Sequence, residues 1–117
     1  MIEELIARAF LARDITHYLH LTTKSFVEHS ALNFFYNDII EKIDNLAENV
    51  IGMFGEIGEL PDLDRSRPDD IIAFLTDEGD WIETSRDQLT NGSESIGAIV
   101  DDLVSVYTHT VYRLGLK

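Results

Sequence analysis

Residues 17–48 read HYLHLTTKSFVEHSALNFFYNDIIEKIDNLAE, and they contain both a helix junction and the side chains most capable of chemistry. Ser25 and Glu28 have the spacing of a capping box, in which a serine hydroxyl and a glutamate three residues on satisfy the first free N–H groups of a helix. A helix is therefore predicted from this point to about Gly55, roughly 45 Å long at about 1.5 Å per residue. Upstream, Leu5, Ala9, Ala12, Thr16 and Leu19 recur at three-to-four spacing and predict a first helix over about residues 2–21. His17 and His20 fall near its end, and His29 and Asn33 near the start of the second helix. Asp44 and Glu48 are four positions apart, which puts both carboxylates on one helix face within about 6 Å. From His29 to Asp44 the rise is about 22 Å, beyond the reach of one metal or metal pair within a single chain. Two copies packing their second helices antiparallel about a two-fold axis would bring His17, His29 and Asn33 of one to Asp44 and Glu48 of the other, forming two identical sites.

Beyond this stretch, GELPDLDRSRP (residues 58–68) is rich in turn formers and charge and reads as a connector. A third helix is predicted from Pro68 to about Leu89, with Asp69 and Asp70 favourably placed in its first turn and a weak point at Gly79. The fourth follows TNGS, capped by Ser93, with a stripe of Ile96, Val100, Leu103, Tyr107, Val111 and Leu114. No strand-like alternation is long enough to count. Four amphipathic helices predict an all-α four-helix bundle, one domain over residues 1–117.

Composition narrows the chemistry. With 44% hydrophobic residues in 117, the chain can bury one core but not two. No apolar run approaches the length of a membrane span, and the first residues carry acids rather than a basic targeting cluster, so a cytoplasmic protein is expected. There are no cysteines, which excludes disulfides, thiolate metal sites and cysteine nucleophiles; any transition metal must be held by His, Asp and Glu. The 22 acidic residues against 9 basic give a net charge of −13, a balance that repels phosphate backbones and argues against direct nucleic-acid binding. No Ser-His-Asp order, phosphate loop or glycine-rich nucleotide turn appears.

The stretch from His17 to Glu48 resembles that of the Dps-like miniferritins, members of the ferritin-like superfamily. His29, Asn33, Asp44 and Glu48 lie 12, 16, 27 and 31 positions after His17, offsets at which that family places a histidine, two aspartates and a glutamate, and DNLAE keeps its final context. The resemblance implies a ferritin-like four-helix bundle, a two-fold dimer with iron sites at its interface, ferroxidase activity and assembly into a hollow dodecamer. Departures are Asn33 in place of the family's aspartate, Tyr18 in place of its usual tryptophan, a missing loop glycine, a shorter chain and no basic terminal tail. LHLTTKSFVEHSALNFFY also resembles small helical proteins encoded by bacteriophages.

Two functions follow. One is a metal protein binding iron, or manganese or zinc in its stead, through His17, His29, Asn33, Asp44 and Glu48 at a homodimer interface. The other is a non-enzymatic helical interaction protein with a degenerate site, whose acidic surface engages another protein. Glu28 is read as a cap rather than a ligand, His20 as a partly buried packing residue, and His109 as packing or surface. Phe34, Phe35 and Tyr36 are read as core and dimer interface.

Overall fold

The computed structural model describes residues 1–116 and contains α1 (Ile2–Thr22), α2 (Phe26–Phe54), α3 (Ile71–Thr84), α4 (Arg86–Thr90) and α5 (Glu94–Leu114), with no strand among the described residues. α1 packs on α2, α2 on α5, α5 on α3 and α4, and α3 closes the ring against α1. Contacts fix the directions. Phe35 meets Tyr107 edge-on at 5.0 Å, Lys42 pairs with Asp102 and Arg113 lies over Phe34, so α2 and α5 are antiparallel. Arg86 against Asp101 and Gly79 against Tyr107 make α3–α4 antiparallel to α5 in the same way.

The first two helices start and stop where local chemistry allows. Ser25 caps α2 by accepting the Glu28 N–H at 3.1 Å, but the expected box is half-formed, because the Ser25 N–H turns to Thr23 Oγ1 instead. Gly55, at φ 98°, ends α2 in a conformation that side chains disfavour. The connector then runs back along α1. The Gly58 N–H donates to Glu3 and holds that carboxyl below its usual range; further on Arg65 approaches Asp14 and Arg67 covers the Tyr18 ring at 3.6 Å. The chain thereby returns to the end where α2 began, so α3 runs parallel to α2.

Three expectations for the second half are corrected. The third helix starts at Ile71 rather than Pro68, because the Asp70 carboxylate accepts the Ile72 and Ala73 N–H groups and makes Asp70 the cap. Gly79 does not interrupt it; the break comes at Ser85, so the described residues form five helices and not four. That break lets Leu89 and Thr90 bury, while the Arg86 guanidinium crosses Gly97 to reach Asp101 at 2.7 Å. A Cβ on Gly97 would sit 2.5 Å from Arg86 Nη2, so the glycine makes room for this crossing. The Ser93 cap is as expected.

Leu5, Ala9, Ala12, Phe35, Ile39, Leu46, Leu75, Val100 and Leu103 are fully buried, so the predicted stripes of the first and last helices do line the core. A half-buried charge cluster borders it. Arg8 donates to Glu78 at 2.7 Å and to Glu4 at 2.9 Å, with its guanidinium 4.1 Å from the centre of the Trp81 ring. Burial pushes the Glu78 carboxyl up, with Arg8 opposing it. Nearby, burial also pushes the Tyr107 phenol up, and its hydroxyl is buried with no hydrogen-bond partner among the described residues. No helix among the described residues is long and apolar enough to cross a membrane.

Two predictions test this interior. Tyr107→Phe removes an unsatisfied buried hydroxyl and should stabilise the chain by about 1 kcal/mol in urea melts; destabilisation would mean the hydroxyl has a partner. Because the folded-state pKa of Glu78 is raised, the folded chain binds more protons than the unfolded one between the ordinary glutamate value and the raised one. Wild-type stability should therefore fall as pH rises through that window. Glu78→Gln should lose this slope and gain on the wild type as pH rises, a comparison read from melting temperatures across pH.

Candidate functional site

The three residues between α1 and α2 force a tight antiparallel hairpin, and its geometry brings three histidines together. The His20 and His29 rings stack with centroids 3.8 Å apart and planes 22° from parallel. Their hydrogen bonds are reciprocal: His20 Nδ1 lies 2.8 Å from the His29 carbonyl, and His29 Nδ1 lies 2.9 Å from the His20 carbonyl. A carbonyl can only accept, so each Nδ1 carries the hydrogen and each neutral ring keeps its lone pair on Nε2. Such outer contacts orient an imidazole for metal binding, and they equally serve as a plain helix clasp.

His17 is one turn deeper. It stacks on Tyr36 at 4.0 Å and 12°, while His20 meets the same ring edge-on at 5.2 Å. The Tyr36 hydroxyl donates to Asn33 Oδ1 at 2.9 Å, and Asn37 Nδ2 donates to the Asn33 backbone carbonyl. Asn33 is thus already engaged through the atom with which it would bind a cation. Arg13, one turn before His17 on the same helix face, has its Nε buried without a hydrogen-bond partner among the described residues.

Asp44 and Glu48 are exposed on α2, about four to five turns beyond His29. No group of three or more His, Asp or Glu among the described residues is arranged to hold a metal. One chain therefore clusters His17, His29 and Asn33 but leaves Asp44 and Glu48 apart from them. Glu28 meets the cap only through its backbone N–H, and the side-chain half of the expected capping box is replaced by Thr23. His109 is exposed beside Tyr112. The aromatic run divides: Phe35 is core, Tyr36 belongs to the histidine cluster, and Phe34 is exposed beneath Arg113.

Sequence reasoning missed the His20–His29 clasp, yet a signal existed. His20 and His29 lie four and five residues from Lys24, the middle of the turn at Thr23–Ser25, and antiparallel helices bring such nearly matched positions face to face. The Arg8–Glu78 pair had no comparable signal, since its members are far apart in the chain.

Comparisons with known proteins agree on a kind of relative rather than on an activity. A family model described as "Family of unknown function (DUF5856)" matches residues 20–114. An "Uncharacterized 14.6 kDa protein in mobD-ri intergenic region" of Enterobacteria phage T4 is 23% identical over 117 residues, covering 98% of this chain and 88% of that relative. No solved structure matches the chain. The phage relative accords with the likeness to small phage-encoded helical proteins; neither match names a miniferritin.

The clasp can be measured on its own. In a double-mutant cycle, His20→Ala and His29→Ala should show a coupling of about 1 kcal/mol in denaturant melts, as expected for stacked rings sharing a hydrogen-bonded pair. Additive effects would mean that the two rings do not support each other.

Proposed function

The chain belongs to the family of unknown function DUF5856, and we propose that it is a ferritin-like metal-binding protein whose site is completed by a second copy of itself. The observation that carries this reading is the symmetry of the exposed stripe on α2. His29 and Glu48 are equidistant from the Asp38–Ile39 peptide, and so are Asn33 and Asp44. One two-fold axis through that point, with antiparallel α2 helices, would set both histidine-side residues against both carboxylates at once. The same axis sets Phe26, 80% exposed, against Ile51, 39% exposed, which gives the interface an apolar contact. Arg13 Nε, buried and unpartnered on the adjoining face of α1, is a donor for which a second subunit can supply an acceptor.

The helix directions support the ferritin-like part of the reading. A single long crossover between the second and third long helices, with neighbouring helices antiparallel around the ring, is the connectivity of ferritin-like bundles. The donor set fits the chemistry as well. Two imidazoles, with Nε2 free on His29, and two carboxylates suit a borderline divalent cation, with iron the first choice and manganese or zinc as substitutes. Bound ferrous iron would be the substrate of a ferroxidase, and the protein's contribution would be to hold it with open positions accessible to an oxidant. His17 and His29 would be the neutral nitrogen donors, and Asp44 and Glu48 would supply the negative charge that Asn33 lacks.

A second reading, an interaction protein without metal, is favoured by one contact. The Tyr36 hydroxyl already holds the Asn33 oxygen, so the fifth donor is engaged elsewhere. Anaerobic ferrous titration, followed by native mass and melting temperature, separates the two. The metal reading expects a dimer or larger assembly with one or two ions per site. It also expects stabilisation of about 2.7 kcal/mol at a hundredfold excess over Kd, abolished in Asp44→Ala and in His29→Ala. A monomer whose melting ignores the metal would sink it. Oxygen uptake by the loaded protein tests the ferroxidase step separately.

A further inference from the structure

The face opposite the α1–α2 hairpin carries a groove between α3 and α5, of about 210 Å³. Leu75, Val104, Tyr107 and Val111 form its apolar walls, Gly79 lies on its floor, and Asp80 and Glu83 stand at its rim. Neither Asp80 nor Glu83 has an ion-pair partner among the described residues, although Asp101 and Asp102 on α5 and Glu78 on α3 each have one.

Gly79 is the informative residue. A glycine inside a helix costs about 1 kcal/mol relative to alanine, because the unfolded chain is freer and no side chain packs. Close helix approach is the usual compensation, as at Gly97, where Arg86 occupies the space. At Gly79 a Cβ would meet only the Tyr107 Cβ at 3.5 Å, an ordinary contact. Helix packing therefore does not require glycine here, and what its absent side chain preserves is the depth of the groove.

We propose that this groove is a docking site for a partner protein's segment that presents a long cationic side chain, arginine or lysine, among aliphatic residues. The stem would lie on Val104, Tyr107 and Val111 over Gly79, and the charged head would reach Asp80 and Glu83. Charge complementarity selects this occupant: the rim is acidic, and an apolar stem with a cationic tip is the side-chain shape that satisfies both floor and rim. The site uses neither His17, His29 nor the exposed stripe of α2. It stands independently of the metal reading.

The test uses a fluorescently labelled synthetic helical peptide with arginine and leucine on one face, and a counterpart with glutamate replacing each arginine. Anisotropy should show saturable binding of the first by the full chain and none of the second. Gly79→Ala should weaken that binding several-fold while melting at or above the wild-type temperature, which separates blockage from misfolding. Asp80→Asn/Glu83→Gln should weaken it at least tenfold, whereas Glu56→Gln/Glu59→Gln, an equal charge change in the connector, should alter it less than threefold. Absence of binding by the wild type, equal losses in the two double variants, or full binding by Gly79→Ala would each overturn the proposal.

Discussion

The length of α2 constrains the rest of the molecule. Its 29 residues extend about 43 Å, nearly the whole 44 Å long dimension, so the chain emerges from it at the far end with two long helices already antiparallel. A short turn there would send the next helix back beside α2 in the opposite direction. Instead, residues 55–70 travel back as a strap, which at about 3.3 Å per residue can reach about 53 Å and so has length to spare for retracing the bundle. Glu3, Asp14 and Tyr18 receive it along the length of α1. α3 thus begins at the end where α2 begins, and α5 closes the ring beside both.

This arrangement divides the surface into faces with different chemistry. The hairpin face carries the histidine clasp, the Tyr36 and Asn33 contacts, and further along α2 the exposed Asp44 and Glu48. The opposite face carries the α3–α5 groove with its acidic rim. Between them the core is mostly apolar: Thr16 and Thr110 are buried in it, the Tyr107 hydroxyl has no partner there among the described residues, and the Arg8–Glu78 pair lies half-buried at its edge, where burial raises the energy of charged and unpaired polar groups alike. A net charge of −13 keeps most of the exterior acidic, and two exposed aromatic residues near the hairpin, Tyr18 and Phe34, have arginines lying over their rings. Cation and ring each shield the other in such pairs.

The candidate site shows how far a helical pattern carries. Offsets along one helix fix which side chains share a face, because 3.6 residues make a turn whatever the rest of the fold does. That is why the placing of Asp44 with Glu48 needed no structure, nor did the separation of both from His29. Offsets are silent on what a side chain already holds. Asn33 is engaged by Tyr36 three residues on along α2, and His20 and His29 hold each other's backbone carbonyls because the hairpin brings α1 and α2 into contact; only the histidine bonds depend on two helices at once.

From the sequence alone came the all-helical class, the ends of the first two long helices, the Ser93 cap and the core stripes of α1 and α5. Periodicity and capping are local, acting within a few residues, and tertiary packing did not overrule them. The start of α3 at Asp70 and the break at Ser85 were decided otherwise: neighbouring polar residues competed to cap one helix, and Arg86 found its carboxylate across Gly97 on another helix. The Arg8–Glu78 pair, the orphaned Tyr107 hydroxyl and the groove over Gly79 belong wholly to the tertiary structure. Each joins residues distant in the chain, and only the packing of α3 against α1 and α5 sets their burial and their partners.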